Sequence, residues 1–130
     1  MVIDTSAVVA ILRSEAVSLR LVDAVEATAE RHMSAVGLVE ASLVMLSRYG
    51  EHGEMEVDLF VQRLQVDVSP VNVDHAEIAR SAYRRFGKGR HPAALNFGDC
   101  FSYALAIALG EPLLFVGTDF GETDVKVAIH

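Results

Sequence analysis

Two acidic residues that could do chemistry, Asp4 and Asp119, follow short apolar runs of the sequence. Asp4 comes directly after Met1–Ile3, and Asp119 comes after Leu113–Val116 and a Gly-Thr turn. In open α/β sheets, ligands bind beyond the carboxyl ends of the strands, so acids at strand ends are candidates for a site. Each also has a structural explanation, because Asp4 could cap a helix and Asp119 could belong to a turn.

Two further acids, Glu40 and Asp99, lie in helical patterns with few other charges nearby. At helical spacing Glu40 has Val36 and Val44 as neighbours, which places its carboxylate on an apolar flank. A structural Glu at this position would reach water or pair with Arg48. Asp99 opens an otherwise uncharged helix, where capping and the helix dipole would favour it by about 0.3 to 1 kcal/mol.

The four acids together suggest a metal site. If two strand ends and two helices bring them to one cleft, their carboxylates repel one another unless they are protonated or neutralised by cations. Sites made of carboxylate oxygens suit hard ions such as Mg²⁺ or Mn²⁺, which typically act on phosphates. Such an ion can activate water for attack on a phosphodiester. The pattern therefore predicts nuclease chemistry.

A cluster of basic residues supports this prediction. Five of the eleven Lys and Arg residues lie on one predicted helix and the glycine-rich loop after it: Arg80, Arg84, Arg85, Lys88 and Arg90. A protein with a net charge of −7 needs a local basic strip to hold the phosphates of a nucleic acid. A solvated helix face is the alternative interpretation.

Short strands that alternate with helices must position these residues. Apolar runs predict strands over 1–3, 32–34, 66–71 and 113–116, with a candidate last strand over 125–129. Helical patterns cover 15–31, 36–49 before Gly50, 54–65, 74–86 capped by Asp74, and 99–109, and another helix follows Asp4. This alternation predicts an α/β protein with a parallel sheet covered on both faces.

Length and composition limit the class of protein. A chain of 130 residues with 52% hydrophobic residues predicts one globular domain over residues 1–130. The single cysteine, Cys100, excludes an internal disulfide scaffold, and the histidines lack the spacing of a zinc hydrolase. No uncharged run is long enough to span a membrane, so a cytoplasmic protein is expected.

Four segments in this order resemble the PIN domain of VapC-type toxins. They are Val2–Ser6, Ser34–Glu40, Asn96–Cys100 and Gly117–Phe120, accompanied by the loop Gly87–Pro92. The resemblance covers essentially the whole chain. It implies a three-layer α/β/α sandwich with a short-stranded, mostly parallel sheet. It also implies a Mg²⁺-dependent endoribonuclease toxin that forms a homodimer and is inhibited by a cognate VapB-type antitoxin.

The resemblance also implies roles for individual residues. Asp4 and Asp99 match the acids that coordinate the ion most directly, and Glu40 and Asp119 match further ligands or residues that orient its waters. Other matching positions would support the site: Thr5, Ser6 and Asp124. Thr118 departs from the pattern, because many relatives have Asn or Asp there. The antitoxin would insert a polar or basic segment into the acidic groove.

Two other functions are considered. A catalytically inactive PIN fold could bind only RNA or the antitoxin, although all four acids are present. A Mg²⁺-dependent phosphatase of the haloacid-dehalogenase type also has an Asp after its first strand. That chemistry requires a second acid two residues later, where this chain has Ser6.

Overall fold

The strands of the computed structural model form one parallel sheet. The structure describes residues 1–129, so His130, which the single-domain prediction includes, lies outside the described residues. The strands are β1 (Val2–Ile3), β2 (His32–Ser34), β3 (Asp67–Ser69) and β4 (Leu113–Leu114). Their order is β3-β2-β1-β4, and every neighbouring pair is parallel.

Among residues 1–129, six helices cover the two faces of this sheet. They are α1 (Thr5–Leu12), α2 (Ser18–Glu26), α3 (Ala35–Tyr49), α4 (Glu51–Arg63), α5 (Val73–Phe86) and α6 (Phe97–Leu109), followed by a short helical turn over Phe120–Glu122. Within residues 1–129, none of the helices is both long and apolar enough to cross a bilayer.

The central strands supply one core on each face of the sheet. Because side chains alternate along a strand, Ile3 and Leu114 pack into a core with α1 to α4, whereas Val2 and Leu113 pack into a core with α5 and α6. All four side chains are fully buried. The predicted α/β/α sandwich with a parallel central sheet is therefore confirmed.

The sheet order places the carboxyl end of β1 at a topological switch point. The chain passes from β1 to β2 and β3 on one side and returns to β4 on the other side of β1. Asp4 follows β1 directly, and Ser34, at the end of β2, caps the helix that carries Glu40. A crevice forms where adjacent connections leave a parallel sheet in opposite directions.

Several predicted helix boundaries are wrong. The helix predicted over 15–31 is limited to α2, and after its end Arg31 donates hydrogen bonds to the carbonyls of Thr28, Glu26 and Leu64. α4 begins three residues earlier than predicted. The positive φ of Gly50 lets the chain turn there between α3 and α4.

Asparagine side chains, rather than aspartates, cap the last two helices. Asn72 caps α5 instead of Asp74, accepting from the backbone N–H of His75 at 2.8 Å. Asn96 caps α6, so Asp99 is the third residue of that helix and not its first. An asparagine side chain can accept a hydrogen bond from the first backbone N–H groups of a helix, which have no partner within the helix.

The strands are also shorter than predicted. β3 ends at Ser69, before Pro70, which has no N–H to donate to a neighbouring strand. The candidate last strand over 125–129 is absent from the described residues. Val127 instead forms an isolated bridge with Leu113. Two backbone hydrogen bonds hold this bridge: the N–H of Leu113 donates to the carbonyl of Lys126, and the N–H of Ala128 donates to the carbonyl of Leu113.

Candidate metal-binding active site

An acidic cleft of about 360 Å³ opens at the carboxyl edge of the sheet. Three of the four predicted acids line it: Asp4, Glu40 and Asp99. Thr5 and Ser6, predicted to support the site, also line it. The fold therefore brings together residues from the end of β1, the middle of α3 and the first turn of α6.

Asp4 both caps a helix and contributes to the cleft. Its Oδ2 accepts from the backbone N–H of Ser6 at 3.0 Å and from the Ser6 hydroxyl at 2.6 Å. The Ser6 Oγ in turn accepts from the N–H of Val116 at 3.0 Å, which fixes this arrangement. Asp4 is only 2% exposed, yet its Oδ1 has no hydrogen-bond partner among residues 1–129. A buried oxygen without a partner is costly, so it indicates a ligand.

Glu40 packs directly against the backbone of α6. A Cβ placed on Gly98 would overlap both carboxylate oxygens of Glu40, so only glycine leaves room for this group. Burial raises the pKa of Glu40, a hydrogen bond with Thr5 lowers it, and the charge of Asp4 raises it. Among residues 1–129 no ion pair joins Glu40 to Arg48, which was its alternative partner.

Asp99 is held by a reciprocal pair of hydrogen bonds with Asn96. The backbone N–H of Asn96 donates to Asp99 Oδ2 at 3.0 Å, and the N–H of Asp99 donates to Asn96 Oδ1 at 2.9 Å. Burial raises the pKa of Asp99 to about 6; the Asn96 hydrogen bond opposes the shift, and the charges of Asp4, Glu40 and Asp119 add to it. Asp99 is therefore both a capping residue and a member of the acidic cluster.

Asp119 lies at the margin of this cluster. It is exposed, it precedes the turn Phe120–Glu122, and it makes no side-chain capping bond. Its charge nevertheless contributes to the raised pKa of Asp99, as the smallest of the causes. Thr118 beside it is also exposed and lines a different cavity, together with Val17.

The structure adds two polar residues to which the sequence analysis gave no role in the site, Glu15 and Asn96. Glu15 was assigned to a helix, whereas it lies in the link between α1 and α2, directly after Ser14, whose φ is +52°. It pairs with Arg13 at 3.4 Å, and Arg13 also donates to the Tyr49 hydroxyl at 3.3 Å. No local sequence signal marks Glu15, but the N-x-x-D spacing of Asn96 and Asp99 could have indicated a capping pair.

The donors present fit a hard cation that retains water. Within residues 1–129, no three His, Cys, Asp or Glu side chains are already arranged around one ion position. Mg²⁺ usually takes one or two carboxylates and keeps several waters, so it does not need a complete protein cage. The partnerless Oδ1 of Asp4 could serve as one such ligand, and the carboxylates of Glu40 and Asp99 line the same cleft.

The metal-free protein should show the effect of Asp99 on stability. Because the folded-state pKa of Asp99 is raised from 3.8 to about 6, the fold favours its protonated form. We expect its contribution to stability to fall as pH rises through about 6 and to be absent in Asp99→Asn. Thermal unfolding of both proteins in EDTA, at about pH 4.5 and about pH 7.5, measures the difference. Equal pH dependence in the two proteins would contradict this prediction.

Asp124 lies outside the acidic cleft, which differs from its predicted supporting role. The Tyr103 hydroxyl donates to Asp124 Oδ1 at 2.6 Å, and Arg85 pairs with Asp124 Oδ2 at 3.2 Å. The Tyr103 hydrogen bond is the main cause that lowers the pKa of Asp124, whereas burial and Asp124 together raise the pKa of Tyr103 to about 12. This group ties α5 and α6 to the C-terminal segment.

Removing the Tyr103 hydroxyl should reduce stability and not catalysis. We expect Tyr103→Phe to lower the free energy of unfolding by about 1.5 kcal/mol, because it removes a hydrogen bond to a charged acceptor. Urea denaturation measures this change. Tyr83→Phe is the matched control, since the Tyr83 hydroxyl makes only an exposed 3.4 Å bond to the Lys88 carbonyl. A slower rate of RNA cleavage by Tyr103→Phe, under conditions in which the variant is fully folded, would contradict a purely structural role for Tyr103.

The predicted basic strip is divided in the structure. Arg85 is engaged by Asp124, and its guanidinium lies 4.6 Å from the Phe86 ring centroid. Arg80 and Lys88 line a groove between α5 and α6. Arg84 and Arg90 are exposed.

The fold and the acidic cleft define a class of protein that comparison identifies. Residues 1–126 match the PIN domain family, and the chain belongs to that family. Within this family, the chain is 53% identical over 125 residues to ribonuclease VapC30 of Mycobacterium tuberculosis. The matched region covers 96% of this chain and 95% of the relative. It is therefore a member of the VapC family.

Two solved structures have a similar fold. VapC20 of Mycobacterium tuberculosis, described as a toxin that cleaves the sarcin-ricin loop, has a TM-score of 0.80 and 18% identity, covering 98% of this chain and 97% of its own. VapBC2 of Rickettsia felis, bound to a DNA fragment from its promoter, has a TM-score of 0.73 and 14% identity, with coverages of 97% and 94%. At these identities the likeness supports the fold alone.

Proposed function

We propose that this protein is the toxin of a toxin–antitoxin pair and cleaves RNA as a Mg²⁺-dependent endoribonuclease. Its place among the VapC ribonucleases supports the ribonuclease activity. The observation that carries the metal dependence is the buried Oδ1 of Asp4, which has no partner among residues 1–129 and belongs to a residue lining the same cleft as Glu40 and Asp99.

The chain's own groups perform distinct tasks in this mechanism. Asp4 and Asp99 would hold the ion, and in each the Oδ2 is already fixed, by Ser6 and by the Asn96 N–H respectively. Mg²⁺, when bound there, would lower the pKa of a water and neutralise charge that develops on the phosphate. Glu40, whose pKa is raised, can take up a proton from the attacking water. Asp119 would orient solvent at the rim of the cleft.

Cleavage of total cellular RNA tests this function. The purified protein, freed of any partner, is incubated with Mg²⁺ or with EDTA, beside the Asp4→Ala variant. We expect discrete fragments that require both Mg²⁺ and Asp4. If folded, Mg²⁺-loaded protein leaves varied RNAs intact, the alternative of a catalytically inactive binding module is favoured instead.

The phosphatase alternative is disfavoured by the surroundings of Asp4. The position two residues later is Ser6, whose hydroxyl donates to Asp4 and accepts from Val116. It therefore restrains the carboxylate and supplies no second acid. Hydrolysis of a simple phosphate monoester by the wild-type protein, without RNA cleavage, would favour the phosphatase function instead.

We also propose the partners that the family resemblance implies, namely a VapB-type antitoxin and a second copy of the chain in a homodimer, in the cytoplasm. The acidic cleft supports an antitoxin segment with basic side chains, which would neutralise the same carboxylates as Mg²⁺. Light scattering of the purified chain alone, and then with the candidate antitoxin, tests both assemblies. A monodisperse monomer would contradict the homodimer.

A further inference from the structure

A groove of about 540 Å³ between α5 and α6 exposes aromatic side chains to solvent. Phe97 is 72% exposed and Tyr83 is 44% exposed. The Phe97 ring lies 4.9 Å from that of Phe101, which is half-buried in the same groove. A contiguous exposed patch of aromatic side chains is typical of an interaction surface, so this groove is a candidate contact surface.

The groove begins beside the acidic cleft. Asn96 lines both, because it caps α6 at the point where the cleft and the groove meet. Phe97 is the next residue, and Asp99 lies two residues further along the same turn. A chain that crosses the cleft can therefore continue into the groove past Asn96.

The rim of the groove carries positive charge in a chain whose net charge is −7. Arg80 and Lys88 line it, and both are exposed. Arg80 pairs at 2.9 Å with Glu77, but this pair is also exposed and is easily exchanged for another anion. The groove therefore combines aromatic surfaces with cations, which suits an unpaired nucleotide, whose base stacks while its phosphate pairs.

We propose that this groove binds the base of an unpaired nucleotide next to the scissile phosphate, with Phe97 and Tyr83 as stacking surfaces and Arg80 and Lys88 as phosphate contacts. The proposal rests on the proposed ribonuclease function, and it names the feature of the substrate that the protein holds. Because any base has a π face, the groove favours single-stranded RNA without requiring one base.

Charge disfavours the two protein occupants of this groove. An antitoxin segment basic enough to neutralise the acidic cleft would be repelled by Arg80 and Lys88 if it continued into the groove. A second copy of the chain packed here about a two-fold axis would bring the same cations toward one another. RNA is the occupant whose charge complements the rim.

Binding of a short oligouridylate that carries one fluorescent purine analogue tests the proposal. Anisotropy gives the affinity, and quenching of the analogue reports stacking, both in EDTA so that binding is separated from cleavage. The matched variants are Phe97→Leu, which keeps apolar bulk without a ring, and Phe97→Trp, which keeps a ring. Since Phe97 is largely exposed, neither is expected to disturb the fold.

We expect Phe97→Leu to weaken binding by about 5- to 100-fold and to abolish quenching, and Phe97→Trp to retain both. An abasic nucleotide at the quenched position should weaken binding to the wild-type protein and have little further effect on Phe97→Leu. Unchanged affinity and quenching in Phe97→Leu would overturn the proposal, and a simultaneous change in oligomeric state or antitoxin binding would assign the groove to a protein.

Binding and cleavage assays test the groove and the ribonuclease function separately. RNA that is bound with quenching but never cleaved in Mg²⁺ would leave the groove assigned and refute the ribonuclease mechanism. RNA that is cleaved normally by Phe97→Leu, without any quenching in the wild-type protein, would refute the groove alone.

Discussion

Replacing Asp99 with asparagine is expected to abolish RNA cleavage while the fold is retained. The variant removes one charge from the cleft but keeps an oxygen that can accept from the Asn96 N–H, so the start of α6 is preserved. If Asp99 holds the ion as proposed, loss of its carboxylate would weaken Mg²⁺ binding and the stabilisation of the phosphate charge. We expect a loss of at least about 100-fold in the cleavage rate, since even groups that only orient metal ligands are worth about 10- to 100-fold.

Two measurements distinguish this effect from general damage. Titration with Mn²⁺ should show weaker binding to Asp99→Asn, and circular dichroism should match that of the wild-type protein. Asp58→Asn is the matched control, because Asp58 is an exposed acid on α4 and does not line the cleft. A folded Asp99→Asn protein that cleaves RNA at the wild-type rate would refute the catalytic assignment.

Gly98→Ala is expected to have the second largest effect, although it adds only a methyl group. The new Cβ would overlap the Glu40 carboxylate, which must then leave its place beside α6. We expect Mn²⁺ affinity and RNA cleavage to fall by about 10- to 100-fold. Stability should not fall in parallel, because alanine is favoured over glycine within a helix by up to about 1 kcal/mol.

Shortening Glu40 tests whether this overlap is the cause. Glu40→Asp alone retracts the carboxylate and should weaken Mn²⁺ binding, but it also leaves room for a methyl group at position 98. Adding Gly98→Ala to Glu40→Asp should therefore cost little further affinity, which is a non-additive result. Gly121→Ala is the matched control, since a Cβ added to Gly121 would meet no atom within 4 Å. Full additivity of the two substitutions would contradict the steric explanation.

Apolar patterns were sufficient to predict most elements of this fold. The runs predicted over 1–3 and 113–116 are apolar at every position, which indicates burial on both faces, and the structure places the alternate side chains of β1 and β4 in two cores. The pattern was insufficient for element ends. α2 ends at Glu26, and the segment after it is held by Arg31, which reaches the carbonyl of Leu64, 33 residues away; no local spacing indicates that contact.

In the candidate site, too, the sequence was sufficient to identify some residues and insufficient for others. Asp4, Glu40 and Asp99 were identified from the sequence, because an acid beside apolar residues conflicts with its surroundings and local capping accounts for only part of that conflict. Glu15 was not identified, since its place in the cleft depends on a turn with a positive φ at Ser14. Asp124 was assigned a supporting role because it matches an acidic position of the family that the sequence resembles, whereas it contacts Tyr103 and Arg85.

The sequence by itself determined the chemistry of this protein: which carboxylates are available, where polar residues follow buried strands, and which family the motifs resemble. Only the tertiary structure decided which acids meet, that one oxygen of Asp4 is buried without a partner in residues 1–129, and that an aromatic groove adjoins the cleft at Asn96. The physical reason is the separation in sequence between the residues that interact. Burial and capping act on residues a few positions apart and leave a pattern in the sequence, whereas contacts between side chains distant in sequence depend on how the crossovers orient the helices over the sheet.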